Sequence, residues 1–508
     1  MFINYKNKRG VIRTLFGCLI IAGACSCKKL VDVGLPTNTI TTERTFSSNA
    51  LADAALSALY SQMMTNTGSM LFSNGGTTIY TGLSSDELVS FSGATAAPIY
   101  QFYTNKLLKN NITPDLMFWQ PAYKLIYGAN AAIEGIAAST SPQLLDSARK
   151  VFTGEAKFIR AFCYFYLTNI YGDVPLVLTT DFTKTANMGR TPGADVYAQM
   201  VLDLKDAQQF LPNDYSTGKG ERIRVNKWAA TALLARVYLY QQNWAAAEAE
   251  ASAVIGNSQF SLKSNLNDVF LNNSTEAIWQ LQQNIAQVPR QATFEAMNFV
   301  PNIRISSLDP ITLSIVLDPS FFQPNVAIFV PSYYLASGLT SAFEPNDLRK
   351  STWVDSTPTP SVPPYNGIPY YYAAKYTSQV ATGTSPITQY YMVLRLAEQY
   401  LIRAEARAQQ NKTADAAADL NVLRNRAGLP NTTATAQADL LNAVARERRV
   451  ELFAEWGHRW FDLKRTGKAA EVLGAIPDKK PWSDNALVYP ISPTELSNDP
   501  ALAQNPGY

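Results

Sequence analysis

Small residues at a fixed interval constrain this chain more than any other feature. Ala235 is followed twelve residues on by Ala247, and Ala404 is followed by Ala416 at the same interval, each time with a helix break between. Such spacing lets two antiparallel helices approach closely, the packing rule behind tetratricopeptide pairs. Ala161 with Tyr164 and Ala235 with Tyr238 repeat another part of the pattern, and Asn243 and Trp244 sit where the turn between paired helices belongs. Helical period runs through TGEAKFIRAFCYFYLTNIYG, ADVYAQMVLDLKDAQQFL, RVNKWAATALLARVYLYQQNWAAAEAEASAVIG and YYMVLRLAEQYLIRAEARAQQNKTADAAADLNVLRNRAG, and earlier through Thr45–Met64 and Pro114–Ala138. The expected class is mainly α. Helical frame is predicted over about 40–260 and 390–470, interrupted at about 261–389 by an irregular insertion rich in Pro, Tyr, Phe, Ser and Asn. Within it, EAIWQLQQN and IPYYYAAKYT are candidate short strands. Residues 66–110 read as long loops, which in compact proteins tend to carry function.

Charge narrows the partners. Only 16% of residues are charged and the net charge is +3, with no basic cluster outside the N-terminal segment. Nucleic acid leaves no electrostatic footprint here. A neutral, hydroxyl-rich ligand suits this surface better.

Residues 1–27 read as a targeting segment: Lys6, Lys8, Arg9 and Arg13 precede LFGCLIIAGA, an apolar run too short to span a bilayer. Cys25 and Cys27 follow small residues, as at a bacterial lipoprotein cleavage site. Cys27, followed by Lys28 and Lys29, is the expected lipidated residue, with Cys25 as the competing position. The lipid would tether the body, residues 28–508, to a membrane. With Cys27 lipidated, only Cys163 remains in the mature chain, which excludes a disulfide framework and a cysteine metal site.

The run RERRVELFAEWGHRWFDLKRTG, from Arg446 to Gly467, holds His458, the one histidine of the chain. Val450, Phe453, Trp456 and Trp460 recur at helical steps, which predicts one continuous helix facing a core. On its other face Glu447, Glu451, Glu455, His458 and Asp462 form a stripe, with Arg448, Arg449 and Arg459 within reach for local pairs such as Glu455 with Arg459 or Arg448 with Glu451. Acid–base work by Glu455 and Asp462, tuned by His458, is one reading of the stripe, and a metal trio of Glu455, His458 and Asp462 is another. Structural ion pairing is favoured over both, because a glycosidase needs its two carboxylates across a bond rather than along one helix face. With no second histidine there is no Ser-His-Asp or Cys-His arrangement, and STGKGER lacks P-loop spacing. No enzyme, cofactor or metal site is expected.

Several long motifs, in order, resemble one family: SCKKLVDV, EAKFIRAFCYFYLTNIYGDVPLVL, LARVYLYQQNWAAAEAEASAVI, AEQYLIRAEARAQQ with NVLRNRAGL, and the closing ERRVELFAEWGHRWFDLKRTG. They are similar to the SusD/RagB-like outer-membrane lipoproteins and span residues 26 to about 468. The resemblance implies a tetratricopeptide-like frame with an irregular insertion, displayed at the cell exterior as a substrate-binding lid on a TonB-dependent, SusC-like outer-membrane transporter. It implies capture of oligosaccharides, or of peptides in some branches. Glycoside hydrolysis by loop carboxylates, or a tetratricopeptide scaffold for protein partners, are the alternatives.

Sugar capture needs flat aromatic faces beside amides and carboxylates. The first loop region offers Tyr80, Asp86, Phe91, Tyr100 and Tyr103 with Asn74 and Gln101, and the insertion offers Phe299, Tyr333, Tyr334, Phe343 and Trp353 with Asn302 and Asn346. Tyr80, Phe91, Tyr100, Tyr333 and Tyr334 are the predicted platform. Trp119, Trp228, Trp244, Trp456 and Trp460 belong to helix motifs and are assigned to the core.

Overall fold

The computed structural model describes residues 42–64, 70–283, 292–378 and 386–508. Cys25 and Cys27 lie outside the described residues. The molecule is mainly helical. Its frame comprises α1 (Asn49–Met64), α2 (Gln120–Ala138), α3 (Asp146–Tyr171), α4 (Gly193–Phe210), α5 (Lys227–Tyr240), α6 (Trp244–Ile255), α7 (Leu396–Gln409), α8 (Thr413–Arg426), α9 (Gln437–Glu451) and α10 (His458–Arg465). From α2 to α8 each helix packs on its successor, giving the predicted tetratricopeptide-like frame.

The alanine spacing has the expected basis. Ala235, Ala247, Ala404 and Ala416 are all fully buried, so helices of each pair meet where no side chain beyond Cβ intervenes. The Asn243 side chain accepts from Ala246 N–H and caps α6 at the turn. Ion pairs link helices: buried Arg160 to Asp203 (2.7 Å) joins α3 to α4, buried Arg236 to Glu398 (2.6 Å) joins α5 to α7, and partly buried Arg403 to Asp419 (2.6 Å) joins α7 to α8. Of the assigned tryptophans, Trp119, Trp456 and Trp460 are buried, while Trp228 and Trp244 are partly buried against the same core.

Between α6 and α7 the chain leaves the frame and returns to it, and the two helices still pack directly on each other. The excursion is pinched at its base by β2 (Ala277–Leu281) pairing antiparallel with β6 (Tyr391–Arg395). Further out, β4 (Val354–Thr357) pairs with β5 (Tyr370–Ala373), and β3 (Tyr333–Leu335) pairs with β1 (Leu88–Ser90) of the first loop region. The insertion also holds short helices, Pro310–Val316 and Pro319–Phe329 among them, where little helical period was expected. Their start signals stand in the sequence: Asp309 and Asp318 cap the first N–H groups, and each is followed by proline at the first helical position.

The continuous helix predicted over Arg446–Gly467 is not formed. α9 ends at Glu451, and α10 begins at His458 after a turn in which Ala454 (φ 51°), Trp456 (φ 47°) and Gly457 (φ 72°) adopt left-handed backbone. Such geometry is costly for residues with a Cβ. Local contacts offset it: Trp456 N–H donates to Thr78 Oγ1 at 3.0 Å, its Nε1 donates to Met392 O at 2.7 Å, and its ring stacks on Tyr391 at 4.9 Å. Gly457 is required in its own right, since a Cβ there would strike Thr81.

Candidate functional site

The carboxylate stripe is a buried electrostatic core. Local pairing of Glu455 with Arg459 and of Arg448 with Glu451 is replaced by partners distant in sequence. Arg395 donates from Nε and Nη2 to Glu455 (2.7 and 2.9 Å) and from Nη1 to Glu451 and Glu276 (2.6 and 3.0 Å). Lys375 Nζ adds Glu455 (2.5 Å), and Arg349 Nη1 adds Glu447 (2.5 Å) and Glu451 (3.0 Å). Burial acts to raise the Glu451 carboxyl, but Arg426, Arg395 and Arg349 outweigh it and hold it well below the usual range. Burial drives His458 well below its ordinary value, and the charges of Arg236, Arg448, Arg395 and Lys375 push the same way. A neutral, enclosed imidazole among salt-bridged carboxylates has neither the access nor the pKa of a general base at neutral pH. Cys163 is likewise buried, and desolvation raises its thiol far above the ordinary value.

An open cleft of about 820 Å³ lies where the first loop region, the insertion and the C-terminal segment meet. β1 and β3 form one wall, in register Leu88 with Leu335, Val89 with Tyr334 and Ser90 with Tyr333. Tyr103, Tyr334, Tyr365, Tyr370 and Tyr371 line it. Tyr334 meets Tyr370 edge to face at 4.9 Å, and Phe91 backs Tyr370 at 5.7 Å, so these rings hold each other in fixed orientations. Burial, with Tyr370 and Asp478 nearby, pushes the Tyr334 hydroxyl up to about 12, so it stays a hydrogen-bond donor at neutral pH. Tyr103 OH donates to Asp478 at 2.9 Å.

Two charged groups anchor the cleft. Asp86 accepts from Arg449 Nη2 (2.6 Å) and from Arg459 Nε and Nη2 (2.7 and 3.0 Å), fastening the residues before β1 to α9 and α10. Lys479 Nζ donates to Leu83 O (2.9 Å) and Asn105 Oδ1 (2.7 Å); burial lowers its pKa to about 7.

Of the five predicted platform residues, Tyr334 lines the cleft and half-buried Phe91 supports it. Half-buried Tyr100 lies 5.7 Å from Tyr103. Tyr80 sits in the core against Phe102 (4.7 Å) and Phe118 (6.1 Å), and Tyr333 is 5% exposed, its strand turning it opposite to Tyr334. Phe299, Phe343 and Trp353 are buried as well. Sequence reasoning missed Tyr365, Tyr370 and Tyr371. The signal for Tyr370 and Tyr371 lay in IPYYYAAKYT, where the strand buries Tyr372 at 1% and leaves Tyr371 at 37% exposure, while Tyr365 lies just before it in VPPYNG.

Two family models match this chain. The one described as the SusD family covers residues 340–508, and the one described as starch-binding, associating with outer membrane, covers residues 47–239. The chain belongs to the SusD/RagB family. Its frame and its cleft walls both fall largely within the two matched regions. Among relatives, SusD-like protein P38 of Formosa agariphila is 28% identical, with 80% of this chain and 83% of that protein covered. The starch-binding protein SusD of Bacteroides thetaiotaomicron is 24% identical over 70% of this chain and 72% of its own length. Among solved structures, a laminarin-binding SusD-like protein superposes with a TM-score of 0.73 at 26% identity, over 91% of this chain and all of that one. A SusD superfamily protein from Parabacteroides distasonis gives the same TM-score at 22% identity, over 92% of this chain and 100% of that one.

Proposed function

We propose that this SusD-family protein is a glycan-binding lipoprotein of the outer membrane, held at the cell exterior by a lipid on Cys27, which passes oligosaccharide to a TonB-dependent, SusC-like transporter without turning it over. The tyrosine-lined cleft carries this reading. Rings held edge to face present fixed surfaces to apolar pyranose faces, while tyrosine hydroxyls, Ser337, Thr340 and the Asp86 carboxylate offer partners for sugar hydroxyls. Its volume of about 820 Å³ suits a short oligosaccharide. Relatives named for laminarin and starch binding support a neutral glucan as the first ligand to try. Asp86, held ionised by two arginines, is poorly suited to donate a proton to a glycosidic oxygen.

Titration calorimetry of the protein with laminarin-derived and starch-derived oligosaccharides, and with peptides in parallel, is the direct test. Saturable glycan binding with no new reducing ends is expected. New reducing ends would make the protein a hydrolase, and binding of peptides alone would move it to a peptide-capturing role. For the anchor, Cys27→Ala should release the protein from the membrane fraction, and protease treatment of intact cells should cleave the wild type.

A further inference from the structure

A second cavity, of about 580 Å³, shares Arg449 and Val472 with the tyrosine cleft. Its wall carries Arg446, Arg448, Arg449, Arg459, Arg465 and Lys468 against only Glu405, Asp462 and Glu471. Those carboxylates are already engaged. Asp462 accepts from Arg448 Nε (2.7 Å) and Arg465 Nε (2.8 Å), Glu405 accepts from Arg465 Nη1 and Nη2 (2.5 and 2.7 Å), and Glu471 accepts from Lys468 (2.8 Å). Arg449 and Arg459 are directed to Asp86.

Donors are left over. Arg448 is 3% exposed, and neither its Nη1 nor its Nη2 has an acceptor among the described residues; the same holds for Arg449 Nε. Exposed Arg446 and Lys468 add positive charge to the same cavity. A cavity whose acceptors are consumed while buried guanidinium donors remain unmatched lacks a negative group of its own.

We propose that this cavity is an oxyanion site, taking a sulfate or carboxylate group on exposed Arg446 and Lys468, with the incompletely matched guanidinium groups of Arg448 and Arg449 behind them. The group arrives either as a free anion or as an acidic substituent of a glycan whose neutral part lies in the adjoining tyrosine cleft. The site itself is independent of the glycan reading, and only the second source rests on it.

Sodium sulfate titrated into the full protein at constant ionic strength should give a saturable heat and a raised thermal midpoint that sodium chloride does not reproduce. The Arg446→Met/Lys468→Met double variant, changed at exposed positions, should bind sulfate at least tenfold more weakly and keep its affinity for a neutral laminari-oligosaccharide. Arg448→Met should weaken sulfate binding if it folds, and the double variant decides the matter if it does not. A sulfated laminari-oligosaccharide binding tenfold tighter than its neutral counterpart assigns the site to acidic glycan, and equal affinities assign it to a free anion. A sulfate response no different from chloride, or a double variant that binds sulfate like the wild type, overturns the proposal. Failure of neutral glycan binding alone would count only against the glycan reading.

Discussion

Asp86 and Arg459, 373 residues apart in sequence, meet in a two-point ion pair, Nε to Oδ1 at 2.7 Å and Nη2 to Oδ2 at 3.0 Å. The pair ties the edge of the cleft to the last helix of the frame. Ligand surface and frame therefore share one electrostatic joint.

Asp86→Asn should cost about 2 kcal/mol at pH 7, between the values for an exposed and a fully buried pair, because two guanidinium groups lose their acceptor. Burial alone would raise this carboxyl, but Arg459 and Arg449 lower it overall. A depressed folded pKa stabilises above the unfolded value, near pH 4, and that stabilisation disappears as pH falls through the folded value. Urea midpoints of wild type and variant should therefore converge in acid; a constant gap down to pH 2 would contradict the pairing.

Glu87 behaves in the opposite sense. Burial first, and then the Asp86 charge, push its carboxyl up to about 8, and its Oε1 has no partner among the described residues. Here the folded state keeps a proton that the unfolded chain releases near pH 4.5. Wild-type stability should thus fall by about 1.4 kcal/mol per pH unit between those values relative to Glu87→Gln. Parallel stability curves for the two proteins across pH 5 to 8 would rule this out.

Tyrosines of the cleft and of the core should separate cleanly. Tyr371→Ala, at an exposed ring, should leave the unfolding midpoint nearly unchanged and weaken glycan binding by about tenfold, the scale of one stacking contact. Tyr80→Ala should instead cost about 3 kcal/mol or more of stability through the cavity left against Phe102 and Phe118. Calorimetry and denaturant titration on both variants distinguish the roles, and the reverse pattern would move the binding surface to Tyr80.

Arg395→Met should be among the most damaging single changes. It strands Glu451 and Glu455, both buried, and the expected loss is about 3–5 kcal/mol. Denaturant unfolding measures it, and a loss under 1 kcal/mol would mean that Lys375, Arg349 and Arg426 suffice without it.

Much of the frame was legible because helical packing writes itself locally. Ala235, Ala247, Ala404 and Ala416 mark close approaches through their own size, and Asn243 marks a turn through its capping chemistry. The turn between α9 and α10 was hidden because Val450, Phe453, Trp456 and Trp460 keep helical spacing across it, and its cause, the docking of Trp456 on Thr78 and Tyr391, lies in remote segments. The partners of Glu451 and Glu455 were hidden for the same reason. In the site, the two contributing regions were legible by composition. Which rings face outward was not, because exposure of Tyr334 and Tyr371 against Tyr333 and Tyr372 depends on strand pairings that no local pattern specifies.

The stem formed by β2 and β6 bears on how such a protein can change over time. The described residues between Leu281 and Tyr391 lie beyond this two-stranded neck, while α6 and α7 stay in contact beneath it. Arg349 and Lys375 above the neck are committed to Glu447, Glu451 and Glu455, but the largely exposed turn at 361–368, which carries Tyr365, can lengthen, shorten or exchange residues without disturbing a helix below, so ligand preference can diversify at the tempo of a surface loop while the scaffold is inherited almost intact.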